Sequence, residues 1–180
     1  MLNPDGVIHG NYRCSLLGCD LNRRWKNPSK LLHPTIYAAK KMIKAFAKER
    51  PLLMYVDLHG HSRRKNIFMY GNHKQEAPEE TRLFPYIMSK VLPCFAFSSC
   101  RFSMQRSKEA TARVALFKEL GNPNIFTMEA SFCGASQGPL AGKHFTPRAY
   151  QDAGQALCRA LLIFSSGDLV SELRELRGKV

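Results

Sequence analysis

Acidic side chains are scarce in this 180-residue chain: 14 Asp and Glu stand against 27 Lys and Arg, leaving a formal charge of +13 at pH 7. A surface that positive favours an anionic partner, whether nucleic acid, anionic lipid or an acidic protein. Charge alone does not choose among them. No apolar run approaches the ~18 residues that a membrane span needs, and there is no internal repeat or low-complexity stretch. There is no P-loop and no G-x-G-x-x-G, which removes phosphate-cradling loops, and nucleophilic catalysis from a serine-hydrolase elbow finds little support. The six cysteines (14, 19, 94, 100, 133 and 158) include no C-x-x-C pair, so a zinc ribbon or dithiol redox motif is not supported. They are too sparse for a disulfide scaffold and read as reduced thiols of a cytosolic protein. The opening Met1-Leu2-Asn3-Pro4-Asp5-Gly6 resembles neither a signal peptide nor a transit peptide.

The remaining composition is that of a globular domain, with 44% hydrophobic and 23% charged residues. The length suits one domain, expected over 1–164, followed by a polar tail over 165–180 that reads as a loosely docked helix. Asn3-Pro4-Asp5-Gly6 is a dense turn signal, and 11–25 is polar and irregular. Pro34 can open a helix, with Ile36, Ala39, Ile43 and Phe46 at helical spacing and the lysines at 40, 41, 44 and 48 mostly on the other face. Pro51 ends it. Residues 52–56, 66–70 and 125–129 read as strands, the first and last being short apolar runs of the buried type. Helices are expected over 81–92, 108–120 and from Thr146-Pro147 to about Phe164, with 95–104 extended. Strands alternating with helices argue for a layered α/β sheet, and such sheets place their sites at the C-terminal ends of strands.

Two strands end on reactive side chains. His59 and His61 follow the first, in Asp57-Leu58-His59-Gly60-His61-Ser62. They read either as a metal ligand at a strand end or as hydrogen-bonded histidines in a polar turn, with Asp57 available to orient an imidazole. Glu129 closes the apolar run 125–128. A carboxylate there either pairs with an arginine or serves as a general base. Arg13, Asn22 and Arg23 lie in the irregular segment, where guanidinium groups suit forked recognition of a carboxylate or phosphate, or form a solvated basic loop. Ser62-Arg63-Arg64-Lys65 reads as a solvated turn rather than a nucleic-acid patch.

Six short motifs occur in one order: Asn3-Pro4-Asp5-Gly6-Val7, Gly10-Asn11-Tyr12-Arg13-Cys14-Ser15, Asp20-Leu21-Asn22-Arg23, Asp57-Leu58-His59-Gly60-His61-Ser62, Phe68-Met69-Tyr70-Gly71 and Thr127-Met128-Glu129-Ala130-Ser131-Phe132-Cys133-Gly134. Together, from about Asn3 to about Cys158, they resemble the cytosolic carboxypeptidase family, a branch of the zinc metallocarboxypeptidases that acts on glutamylated tubulin. The resemblance implies a mixed-sheet α/β carboxypeptidase-like fold and zinc as cofactor. It implies that His59 matches the third zinc ligand and that Glu129 matches the general base. It also implies that Arg13 polarises the scissile carbonyl, that Asn22 and Arg23 grip the substrate's terminal carboxylate, and that Arg113 lines the side-chain pocket, where it would favour a terminal glutamate. His61 is a neighbour rather than a ligand. The tyrosine that clamps substrate in digestive relatives has no evident counterpart around 108–113.

The family takes its first two zinc ligands from a His-x-x-Glu motif upstream of Asn-Pro-Asp-Gly, which here begins at residue 3. The one literal match, His73 with Glu76, lies after His59 in a polar loop and is read as coincidence. The expectation is therefore a catalytic domain incomplete on its N-terminal side, weakly active alone and prone to association. The implied activity is removal of C-terminal or branch glutamates from polyglutamylated tubulin or other acidic protein tails. The implied location is the cytoplasm, microtubule-associated, with no nucleic-acid or membrane partner. Alternatives are a non-catalytic basic module that binds acidic tails, a nucleic-acid-binding protein driven by charge, and a zinc amidohydrolase acting on small N-acyl amino acids.

Overall fold

The computed structural model describes residues 1–167, 174–176 and 178. Two compact units emerge: Met1–Tyr55 with Met104–Asn122, and Val56–Ser103 with Pro123–Val180.

In the first unit, the expected turn at the start is a short helix, α1 (Pro4–Ile8). Asn3 caps it by accepting from Gly6 N, and its amide donates to Asn11 O and Cys14 O. Gly6 is required there, since a Cβ would collide with the Asn3 side chain and Cys14 O. The motif is thus a cap that ties down the loop carrying Arg13. Helix α2 (Pro34–Glu49) begins on proline as expected and buries Ile36, Lys40 and Ile43. Lys40 corrects the sequence reading, which set it with the exposed lysines. Its Nζ turns inward and donates to Trp25 O (2.7 Å), Lys26 O (2.9 Å) and Glu119 Oε1 (2.5 Å). Three acceptors satisfy the three ammonium protons, which is what makes burial tolerable. The helix expected over 108–120 is α4 (Ala112–Leu120), preceded by a 3₁₀ turn at Arg106–Lys108. It starts late because Ala112 N is held from outside, by Asn22 Oδ1 at 2.9 Å. It ends on Gly121 in the left-handed conformation (φ +67°).

The second unit is built on a three-stranded sheet in the order β1-β3-β2, with β1 at Tyr55–His61, β2 at Ile67–Tyr70 and β3 at Ile125–Ser131. The first strand therefore lies further along than the expected 52–56. Strand β2 runs antiparallel to β3, pairing Phe68 with Glu129 and Tyr70 with Thr127. At the other edge, Phe132 N donates to His61 O, so β1 and β3 end side by side and run parallel, making the sheet mixed. The expected extended segment 95–104 contains a 3₁₀ turn at Phe97–Ser99 and meets β2 through isolated bridges at Phe95 and Arg101 and a hydrogen bond from Met69 N to Cys100 Sγ.

Helices α3 (Glu80–Val91) and α5 (Pro147–Ser165) cover the sheet. Phe84 of α3 packs on Phe126 and on Phe164 of α5, with ring centroids 5.8 and 5.7 Å apart. A stripe of Ala149, Ala153, Ala156 and Ala160 lets α5 approach closely. Of the tail expected over 165–180, residues 168–173, 177, 179 and 180 lie outside the described ones. Residues 174–176 are helical, with Leu176 fully buried and Glu175 bonded to Lys90 and Tyr86 of α3. No helix among the described residues is long and apolar enough to cross a membrane.

Candidate functional site

In the second unit the period-two geometry of β1 puts Asp57 and His59 on one face. The His59 Nε2 lies 3.0 Å from Asp57 Oδ2, and its Nδ1 lies 3.8 Å from Glu129 Oε1 on the adjacent strand. Asp57 as acceptor suits a proton on Nε2, the tautomer in which Nδ1 is the nitrogen a metal would take. An imidazole whose outer N–H is fixed by a carboxylate is the arrangement that prepares a histidine for a metal. Glu129 is only 8% exposed, because β3 is the central strand and its neighbouring residues are buried. A carboxylate so placed has little access to bulk water, which suits proton transfer to a bound reactant.

His61 behaves differently. Its Nδ1 accepts from Arg63 N and Arg64 N, closing the turn after β1. Burial lowers its pKa, and the nearby Arg64 and Arg63 charges push it the same way. Its ring packs edge-on against Phe68 at 5.2 Å. His61 thus closes the turn beside His59. Gly60 allows Phe132 to lie across β1, since a Cβ there would strike the Phe132 ring.

In the first unit Arg13, Asn22 and Arg23 come together around a residue to which the sequence reading gave no role, Asp20. Its Oδ2 accepts from Arg13 Nη1 at 2.8 Å and lies 3.9 Å from Arg23 Nη1. Its Oδ1 caps the 3₁₀ turn Leu21–Arg23 by accepting from Asn22 N. The signal for it was an aspartate two residues before Asn22, the spacing of a capping aspartate. Asn22 in turn holds Ala112 N, the first residue of α4, and so fixes the next residue, Arg113, which is only 7% exposed. One aspartate and one asparagine therefore set the positions of all three arginines.

Among the described residues, no three His, Cys, Asp or Glu side chains form a group that could hold a metal ion. The donors present fit one ligand position, His59 Nδ1, together with an adjacent base.

No protein-family model matches the chain. It is 44% identical over 178 residues to cytosolic carboxypeptidase 1 of Danio rerio, covering 90% of this chain and 15% of that protein. It is 45% identical over 178 residues to the Homo sapiens protein of the same name, covering 14% of it. Cytosolic carboxypeptidase 2 of Mus musculus matches at 44% over 185 residues, covering 98% of this chain and 21% of that one. The chain thus spans about a fifth or less of the length of these relatives. Among solved structures, a metallo-carboxypeptidase from Burkholderia cenocepacia superposes with a TM-score of 0.77 at 22% identity, over 92% of this chain and 43% of that one. A metallo-carboxypeptidase from Pseudomonas aeruginosa, in complex with (2-guanidinoethylmercapto)succinic acid, gives 0.73 at 24% identity, over 96% and 45%. The fold is part of a metallo-carboxypeptidase fold, and over nine tenths of its length the chain is a homologue of the cytosolic carboxypeptidases.

Proposed function

We propose that this chain carries catalytic and substrate-binding residues of a zinc metallocarboxypeptidase that removes C-terminal or branch glutamates from acidic protein tails such as those of polyglutamylated tubulin. The observation that carries the reading is the Asp57–His59–Glu129 arrangement, an oriented imidazole whose metal-competent nitrogen lies 3.8 Å from a buried carboxylate. His59 would hold the zinc through Nδ1. When bound, zinc supplies Lewis-acid polarisation of a water and of the scissile carbonyl.

Glu129 takes the proton of the attacking water on a carboxylate oxygen and returns it to the leaving amine. Arg13 donates to the carbonyl oxygen as negative charge develops there, a contribution typically worth about 3 kcal/mol of barrier. Arg23, with the Asn22 amide, grips the free C-terminal carboxylate, which restricts the reaction to chain ends. Arg113 pairs with the glutamate side chain. The +13 charge speeds encounter with an acidic tail. A cytosolic location and peptide substrates are supported by relatives named cytosolic carboxypeptidases, and microtubule association belongs to the substrate proposed.

Release of free glutamate from a peptide ending in glutamates, with zinc supplied, tests the reading. Glu129→Gln is expected to lower the rate by about 10²- to 10⁴-fold. Release from the unsubstituted chain no faster than from Glu129→Gln would overturn it.

A further inference from the structure

A second feature of the first unit stands apart from the Arg13–Asp20–Arg23 cluster and shares no residue with it. Helix α2 carries Tyr37, Lys41, Lys44 and Lys48 at spacings of four, three and four residues, which is one stripe along its surface. That stripe lines a groove of about 690 Å³ whose wall also includes Lys26 and Lys40. No carboxylate lines it. A neighbouring hollow of about 510 Å³ shares Tyr37, Lys41 and Ala45 and continues past Lys30, Pro34, Ala38 and Met42. The two hollows flank the shared ridge of Tyr37, Lys41 and Ala45, the larger one cationic and the smaller one mostly apolar.

The lysines are not equivalent. Lys40 points inward at two carbonyls and Glu119, and it holds the wall together. Lys44 reaches Glu119 Oε2 at 3.1 Å, with its side chain about half exposed. Lys26, Lys41 and Lys48 are exposed. Glu119 therefore answers the inner lysines, and the rim keeps its positive charge.

We propose that this groove binds an acidic polypeptide in extended form, as a docking site for the stretch of chain beyond the residues to be cleaved. The glutamate-rich character of the occupant rests on the function proposed above; the groove itself rests on geometry and charge. An extended chain repeats its side chains on one face every ~6.6 Å, and one helical turn advances ~5.4 Å, so successive carboxylates meet successive lysines. The apolar surface that Pro28, Tyr37 and Ala45 give the groove suits the methylenes of glutamate. The cations are ammonium groups rather than forked guanidinium groups, and a single aromatic, Tyr37, lines the groove. Single-stranded nucleic acid is ordinarily held on a series of stacking aromatics, so the peptide is favoured.

Fluorescence anisotropy of a labelled oligo-glutamate peptide with an amidated C-terminus tests this on the full chain. Amidation removes the carboxylate that Asn22 and Arg23 would grip, so Arg23→Gln should leave this binding unchanged. The combined Lys41→Gln, Lys44→Gln, Lys48→Gln variant should weaken it by about tenfold. A variant with the same charge change elsewhere, Lys65→Gln, Lys74→Gln, Lys143→Gln, should change it by less than ~3-fold. Equal loss in both triple variants would mean that only net charge matters and would overturn the proposal. So would loss in the Arg23→Gln variant, or tighter groove-dependent binding of a single-stranded oligonucleotide of equal charge. Failure of glutamate release would leave the anisotropy result standing. Failure of the groove would leave Glu129-dependent release intact, which separates the two readings.

Discussion

His59 Nε2 lies 3.0 Å from Asp57 Oδ2, two positions earlier on the same strand. That contact decides which ring nitrogen is available for chemistry, and it is local: strand alternation alone puts both residues on one face. Replacing Asp57 with Asn removes the charge and lets the amide present either a donor or an acceptor, so the tautomer is no longer enforced. The expected result is a 10- to 100-fold weaker zinc affinity. Chelator competition measures it, and an unchanged affinity in Asp57→Asn would show that the aspartate does not orient a ligand.

Asp20 makes the corresponding choice for the guanidinium groups. The Arg13 side chain is 58% exposed and that of Asp20 is 24% exposed, so solvent screens the pair and its share of stability is under ~1 kcal/mol. Asp20→Asn keeps an oxygen to cap Asn22 N while it releases Arg13 and Arg23. Thermal unfolding should therefore barely move. Discrimination between free and amidated peptide C-termini should fall about tenfold. A large loss of stability with unchanged discrimination would make Asp20 a structural residue only.

How much of this was legible in the sequence follows from the range of each interaction. Pro34, Pro51 and Thr146-Pro147 mark helix boundaries through local backbone chemistry, and α2 and α5 begin where they indicate. Strand β1 extends through the motif to His61 because Phe132 N, far along the chain, donates to His61 O. No local signal shows that bond. Likewise α4 starts at Ala112 because Asn22 reaches across to cap it. Lys40 looked like its exposed neighbours because periodicity counts residue types and cannot see Trp25 O or Glu119 waiting on another segment. The resemblance implied roles for His59 and Glu129 at one site, and they lie 3.8 Å apart, whereas the organising role of Asp20 emerged only with coordinates.

The cysteines give a test of burial. Cys133 and Cys158 are exposed, and Cys94 and Cys100 are buried. Burial pushes the Cys100 thiol up to about 12, despite the opposing hydrogen bond from Met69 N and the Arg101 charge. At pH 8 its thiolate fraction is then about one in ten thousand. Brief alkylation of the folded chain should modify Cys133 and Cys158, with Cys100 reacting only under denaturant. Peptide mass spectrometry reads the order, and early labelling of Cys100 would contradict the packing of Phe97–Arg101 on β2.

Lys40 and Glu119 offer the clearest stability prediction. Lys40 is 8% exposed and bonds to two carbonyls and to Glu119. Removing the ammonium in Lys40→Ala leaves those acceptors and a carboxylate without their donor, which should cost about 3 kcal/mol in urea unfolding. Lys40→Met, which keeps the packed stem, should recover part of it. For Glu119, burial pushes the carboxyl pKa up, but hydrogen bonds from Lys40 and Lys44 and their charges outweigh this and leave it below its ordinary value. A depressed folded pKa means that the unfolded chain binds the proton more readily, so the pair stabilises the fold above the ordinary carboxylate range. That stability is lost as pH falls through the lower, folded value. Unfolding free energies measured from pH 6 down to pH 3 should therefore converge between the unsubstituted chain and Glu119→Gln, and parallel curves would rule out this linkage.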